Sequence, residues 1–517
     1  MHMIRISVLA VLILAGCLPA VHAANFAVTR ADDPLPNGCQ VGDCSLREAV
    51  LGANANGDSD VIQLPSGTFV LTRGTLAISN PVQLRGSTTT PTIIDGDGAQ
   101  PLFSVTGSPT VLLANMSLQA HGVHALDLSR NALTTLDQVI VPNSDSQIWA
   151  DSLTNGSGSL EIRRSEIRAY VTCGRVALCR ISDSSLLRLQ VGDGDDAATR
   201  VEMTRVIVDG SLAADGSGVV MQTTGAVGVI DSTITQTDIG LLFAAAAPSQ
   251  VSIDALSFVD NAGPLRVNRP APVSVMNSEF RSNTSSVSGG GPGAIHAQGG
   301  SNWTIDGSTF DRNSGSGSVG GALLVETGAQ MLIRNSTFAG NSFTVAAAGA
   351  GARGAALGYR SDVAITSVIL RHVTMVRPAI APVGIIGSLI GGDGGESGLV
   401  LNLFNSVLSG SCALEAAAID VNLGNIESPG DSCDLAAANN QLNVSSGTLA
   451  LGSLADHGGP TNTYEPAPAS PAINNANATF CLAIDQRNYV RPFGGGCDIG
   501  STEVGSRSEG IFADGFE

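Results

Sequence analysis

Four short stretches of this chain say almost the same thing. Ser257-Phe258-Val259-Asp260-Asn261 is followed by Asn277-Ser278-Glu279-Phe280-Arg281-Ser282-Asn283, by Gly307-Ser308-Thr309-Phe310-Asp311-Arg312-Asn313 and by Asn335-Ser336-Thr337-Phe338-Ala339-Gly340-Asn341. The phenylalanines recur after 22, 30 and 28 residues. Less regular copies place Ile167, Leu186, Ile207 and Ile234 at the same apolar position. A second motif runs in phase: Gly293-Ala294-Ile295, Gly321-Ala322-Leu323 and Gly354-Ala355-Ala356. A period of this length, built of strands and turns without helical spacing, specifies a β-solenoid. Each strand then stacks on its equivalent one coil away, about 4.8 Å along the axis, so Phe lies over Phe and Ala over Ala. The Asn ending each copy is expected at a sharp corner, where it tolerates left-handed backbone and bonds its stacked neighbours. One coil cannot bury its apolar face alone, so stability comes from stacking.

Composition agrees. Of the 517 residues, 43% are hydrophobic but only 4% aromatic and 14% charged, with 62 glycines. Ordinary domains carry about 25% charged residues. Small and β-branched residues suit short stacked strands and tight turns. The net charge of −19 becomes −20 once a leader holding Arg5 and no acid is removed, which disfavours nucleic acid and anionic membranes as partners. All 26 basic residues are arginine, so chemistry needing a lysine is excluded. Codon usage in a GC-rich genome explains this more simply than function does.

Residues 1–23 read as a signal peptide. Arg5 precedes the apolar run Ile6–Leu14, and Val21-His22-Ala23 supplies small residues at the cleavage-determining positions. A rival reading makes Leu14-Ala15-Gly16-Cys17 a lipobox, with Cys17 the lipidated N-terminus of a lipoprotein. The leader is too short for a stable span, and no transmembrane span is expected in the mature chain. The other eight cysteines fall into local pairs: Cys39/Cys44, Cys173/Cys179, Cys412/Cys433 and Cys481/Cys497. Four short-range disulfides imply an oxidising compartment; without a CxxC pair, and with seven scattered His, metal binding is the poorer reading.

An open solenoid end is a sticky sheet edge and needs a cap. Ser45-Leu46-Arg47-Glu48 is a capping box, predicting a short helix from Leu46 to about Ala53, with the first coil beginning at Asp60-Val61-Ile62-Gln63-Leu64. The expected organisation is a cap over 24–59, a parallel β-helix over 60–440 in around 15 coils, a C-terminal capping module over 441–503 and an acidic tail over 504–517.

At this point a family resemblance is visible. Cys44-Ser45-Leu46-Arg47-Glu48-Ala49-Val50 with Ala53-Asn54 resembles the N-terminal CSLREA domain. Leu454 to Thr461, Ser470-Pro471-Ala472-Ile473, Asp485-Gln486-Arg487, Arg491-Pro492 and Gly496-Cys497-Asp498-Ile499-Gly500 are similar to the choice-of-anchor Q domain. The repeats between resemble those of polymorphic outer-membrane proteins. The resemblance spans nearly the whole mature chain and implies an all-β, right-handed parallel β-helix exported to a bacterial surface or medium, of a family known as architecture rather than for a reaction. Asn474 stands where the family usually has Asp, and Ser501-Thr502-Glu503 replaces its usual small-aromatic-Glu ending. The tail Gly510 to Glu517 is similar to terminal tags on exported proteins of this type.

Chemistry is harder to find. Polygalacturonase-like β-helix enzymes show an Asp-Asp pair, a Gly-His-Gly turn and an Arg-x-Lys; here the last two are absent, and Asp195-Asp196 sits in the turn-like Gly192–Asp196. Calcium is the one cofactor with candidate ligands, Asp95 and Asp97 in one Gly-Asp stretch and Asp193, Asp195 and Asp196 in another, although ordinary turns are favoured there. His121 and His124 are three apart, hence on opposite faces if both lie on one strand. Arg163, Arg164 and Arg168 form a basic cluster that either grips an anionic glycan or pairs with acids such as Glu161 and Glu166; Trp149 and Trp303 are too few to argue a sugar groove. The expected function is therefore non-enzymatic: a monomeric, secreted or outer-membrane-associated surface protein that adheres to glycans or other cell-surface molecules. The alternative is a secreted polysaccharide lyase or glycoside hydrolase of the pectate-lyase-like type; a third reading is a structural spacer that binds nothing.

Overall fold

The computed structural model describes residues 23–507, except 97, 99–100, 123, 130–131, 152–156, 193–197, 212–215, 245–246, 286–289, 327, 345–350, 361–365, 379–385, 393–398 and 415–416. The leader with Cys17, the tail from residue 508, and the calcium candidates Asp97, Asp193, Asp195 and Asp196 lie outside the described residues. The chain is a right-handed parallel β-helix. Each coil contributes to three sheets in turn. The first runs from Asn25–Ala27 to Ala417–Leu423, the second from Gly67–Leu71 to Ile426–Ser428 and the third from Leu76–Ile78 to Ile390–Gly392. Fifteen strands stack in the second sheet among the described residues. The stack starts earlier than Asp60: Asn25–Ala27 pairs in parallel with Asp60–Gln63, so one strand precedes the cap helix.

That helix spans Leu46–Ala53, and the Ser45–Glu48 capping box closes as its sequence dictates. Leu46, Ala49, Val50 and Ala53 are buried against the core beneath it. All four anticipated cysteine pairs are disulfides: Cys39–Cys44, Cys173–Cys179, Cys412–Cys433 and Cys481–Cys497. Among the described residues, no helix is long and apolar enough to cross a membrane.

Inside, like stacks on like. Phe258, Phe280, Phe310 and Phe338 form a column with ring centroids 5.5, 4.9 and 4.6 Å apart. The column continues through Ile234, Leu186 and Ile167, but its member between them is Val208, not Ile207. Side chains alternate along a strand, so Ile207 points outward and is 49% exposed.

Two corners shape each coil. Between the first and second sheets the chain turns on single left-handed residues, among them Asn115, Arg164, Asp183, Asn277 and Asn405, with φ between 50° and 58°. The next residue is often Ser, whose hydroxyl donates to the carbonyl two residues back and accepts the N–H of the coil before: Leu256 N–H to Ser278, Ser278 N–H to Ser308, Ser308 N–H to Ser336. At the second corner the left-handed residues are Asp260, Ser282 and Arg312, each one before the expected Asn. The asparagines have a different task. Buried Asn261, Asn283, Asn313 and Asn341 hand hydrogen bonds along the axis: Asn261 accepts the N–H and hydroxyl of Thr237, and each later Asn accepts both the backbone and side-chain N–H of the previous one. The turn and the ladder are thus made by neighbouring residues.

The C-terminal module lies along the side of the last coils as well as against the final one. Val407 and Ile426, outward on the second sheet, pack with Leu449, Ala472 and Ile499. Thr309 donates to the Asn462 carbonyl, Thr337 to Gln486, and Ser501 N–H to Thr374. The Phe480 ring stacks on Phe404 at 3.9 Å. Within the module, Arg491 and Glu503 form a wholly buried ion pair at 3.0 Å, and Arg487 closes on Asp485 at 2.7 Å. Asp485 also accepts the N–H of Arg487, Tyr489 and Glu503, so the motif residues Asp485, Arg487 and Arg491 hold the module together.

Candidate functional site

A repeating fold keeps its inward positions for packing, so function belongs to the outward rows. The first sheet presents an ion-pair ladder. Arg180 bonds Glu161 and Glu202, both at 2.7 Å, and Arg200 bonds Glu202 at 2.6 Å. Glu161 and Glu202 lie two strand steps apart, about 10 Å, which is near the separation of an inverting glycosidase pair. The Arg180 guanidinium fills the space a sugar would need between them.

The basic cluster is resolved into pairs. Arg168 meets Glu166 as anticipated, at 2.7 Å. Arg163 and Arg164 both turn to Asp137, one coil earlier, rather than to Glu161. Asp95 contacts His121 at 3.1 Å. His121 stands in the turn before the strand His124–Asp127, so the alternation that would oppose it to His124 does not apply. Among the described residues, no three of His, Cys, Asp and Glu converge as a metal site would require.

The third sheet differs. On four adjacent strands, His124, Gln147, Tyr170 and Arg188 fall in one outward row, with Trp149, Thr172 and Gln190 in the next. His124 and Trp149 lie parallel, with ring centroids 5.6 Å apart and an interplanar angle of 1°. The Arg188 guanidinium sits 5.2 Å from the centre of the Tyr170 ring. Every one of these side chains but Thr172 is half-buried, so aromatic faces and polar tips are both presented. Three strand steps make the patch about 14 Å long. A cavity of about 330 Å³, lined by Pro101, Gly122, His124, Asp145 and Gln147, opens at its upstream edge. Trp303 takes no part: it is buried in the core, its indole N–H donating to Ser301 at 2.8 Å.

Farther along the same face lies a titratable cluster. His296 Nε2 is 3.1 Å from the Glu326 carboxylate, off the line of a hydrogen bond. Arg360 approaches Glu326 at 3.2 Å, Gln298 donates to it, and Arg266 bonds Gln298 at 3.1 Å. Burial pushes the Glu326 carboxyl up, but His296, Gln298 and Arg360 together hold it at about 2. His296 is 3% exposed. Sequence reasoning missed both groups, because their members are one coil apart in space and 18 to 34 residues apart in the chain.

No family model matches the chain, and no curated protein matches it. Two solved structures are similar in part. One is a pectate lyase, Pel9A, 13% identical over 94% of this chain and 97% of that one, with a TM-score of 0.23. The other is a mannuronic acid specific polysaccharide family 6 lyase from human gut microbiota, 10% identical over 78% of this chain and 86% of that one, with a TM-score of 0.30. Such scores carry no argument about what this chain does.

Proposed function

We propose that this is an exported protein that binds glycans on the outward face of its third sheet without cleaving them, and that its ends are CSLREA-type and choice-of-anchor Q-type modules serving a bacterial surface or extracellular protein. The carrying observation is the His124–Trp149 stack beside Tyr170–Arg188. A sugar ring has an apolar C–H face and a hydroxyl edge. Flat aromatic faces suit the first; Gln147, Gln190 and a guanidinium suit the second. Four disulfides fit an oxidising compartment outside the cytoplasm.

The test is retention of the protein on a panel of neutral and acidic polysaccharides. Trp149→Ala should weaken retention on the bound one about tenfold, some 1.4 kcal/mol. Unchanged retention would sink this site.

One observation favours the lyase reading instead: His296, Glu326, Arg266 and Arg360 gather an acid, a base and two guanidinium groups on neighbouring strands of that same sheet. Unsaturated products from any polysaccharide of the panel, lost in His296→Gln, would establish it.

A further inference from the structure

The outward row of the second sheet is covered along the last coils by the C-terminal module. The row continues upstream without that cover, and there it forms a groove along the corner with the first sheet. A cavity of about 660 Å³ is lined by residues including Ile140, Arg164, Asp183, Ser185, Arg205 and Ile207. A second, of about 280 Å³, continues it and shares Gln138 and Ile140. Ile140 and Ile207 are large apolar side chains left 45% and 49% exposed. They stand three strand steps apart in one row, through Glu166 and Ser185, which is about 14 Å.

We propose that this groove receives the segment Ser508–Glu517 of a second copy of this chain. The segment reads Ser-Glu-Gly-Ile-Phe-Ala-Asp-Gly-Phe-Glu. In an extended chain Phe512 and Phe516 share a face and lie about 13 Å apart, which matches the spacing of the two isoleucines. Asp514 falls on the same face between them, midway between Ser185 and Glu166 and flanked by Arg164 and Arg205, with the Glu166 carboxylate already held by Arg168. The segment carries three acids and no base. Arg164 and Arg205 hold Asp137 and Asp183, yet their side chains remain 56% and 55% exposed, leaving guanidinium edges to meet an acid. The covered half of the row already shows that this surface accepts polypeptide, through hydroxyl, amide and backbone groups.

Reach selects a second copy. The segment follows Arg507, whose carbonyl accepts Val490 N–H within the module. From Thr309, where the module meets the row, Ile140 is seven strand steps upstream, about 34 Å. Phe516, nine residues beyond Arg507, reaches at most about 32 Å. A segment leaving the module level with Thr309 would fall short of seating both rings in its own groove even at full length; a neighbour's groove sets no such limit. One tail in the next groove is a head-to-tail contact, which propagates into open chains rather than closing a dimer.

The test uses a fluorescent peptide of residues 508–517 and the mature protein lacking those residues. Saturable binding is expected, reduced at least tenfold by Ile207→Asp, and reduced likewise when both peptide phenylalanines are Ser. Ile207 is half-exposed, so its variant folds, as an unchanged melting curve will confirm. In sedimentation the protein carrying the segment should form concentration-dependent larger species that are lost on removing residues 508–517 or in Ile207→Asp. Absence of peptide binding, or equal binding to Ile207→Asp, would overturn the proposal. So would a full-length chain that stays monomeric at every concentration, which would return the segment to its own molecule or to none.

Discussion

Thr309, Thr337, Thr374, Val407 and Ile426 occupy the same outward row of the second sheet as Ile140, Glu166, Ser185 and Ile207. The first group is 2% exposed or less; in the second, the two isoleucines are nearly half exposed. Backbone, register and corner geometry are alike in the two regions, so the strand does not decide what an outward side chain becomes. The partner does. Under the module the row's threonines bond Asn462, Gln486 and Ser501, and its Val407 and Ile426 pack on Leu449, Ala472 and Ile499. In the open stretch it carries charge and bulk.

The sharpest way to break this comparison is Arg491→Met. It leaves the buried Glu503 carboxylate without its cation, and removing one partner of such a pair costs about 3–5 kcal/mol. Hydrogen exchange should show the module and the Thr309–Thr374 row losing protection together, while the strands around Ile140 and Ile207 keep theirs. Equal loss in both regions would mean that the module supports the whole solenoid.

Acid should act on the same half. His372 is buried beneath the module, with Nδ1 donating to the Gly500 carbonyl and Nε2 accepting from the Asn405 amide. Burial, with Arg491 and Arg371 nearby, pushes the imidazole well below its ordinary value against the pull of that carbonyl. Below the unfolded value of about 6.5 the unfolded chain takes up a proton that the folded one refuses. Module stability is thus fully present above that pH and falls as pH drops, by up to about 1.4 kcal/mol per unit. Denaturation of the module at a series of pH values checks this, and His372→Gln should remove that part of the slope. Glu326 works in a lower window: its stabilisation, present above its unfolded value near 4.5, should fade as pH falls toward about 2.

A matched pair of substitutions sharpens the contrast further. Thr337→Val strips Gln486 and Ser501 of a buried partner and should destabilise by about 1–3 kcal/mol. Ser185→Val, in the same row without that cover, should change stability by less than about 0.5 kcal/mol. A similarly small effect is expected on the first sheet, where Arg180→Ala opens a half-exposed ladder and should cost no more than about 1 kcal/mol in denaturant melts.

What could be read from the sequence was whatever repeats or is local. The Phe column, the Gly-Ala stacks, the capping box and the four cysteine pairs all involve either neighbours in the chain or one period of it. The register slip at Ile207 is instructive: with Val206, Ile207 and Val208 all apolar, alternation alone cannot say which faces inward. Arg163 and Arg164 were paired too locally, since their acid, Asp137, lies one coil earlier. The site on the third sheet was illegible for the same reason. Trp149 looked solitary because His124 and Tyr170 join it only across stacked strands. The docking of the module, with Gln486 reaching Thr309 across 177 residues, left no periodic trace at all.

The ladders of Ser and Asn at the two corners make each coil interchangeable with the next. The donor offered by one coil meets the same kind of acceptor whichever coil follows, and where the run stops Asn425 and Asn440 supply that acceptor from the closing turns. A molecule assembled by this rule carries no built-in measure of its own length. Away from the coils that seat the C-terminal module, a whole coil cut out or duplicated should let the ladder heal across the joint, whereas a half-coil leaves the corners out of step. Length becomes an adjustable dimension, set by how far the outward face has to reach, with the chemistry of that face written separately on top of it.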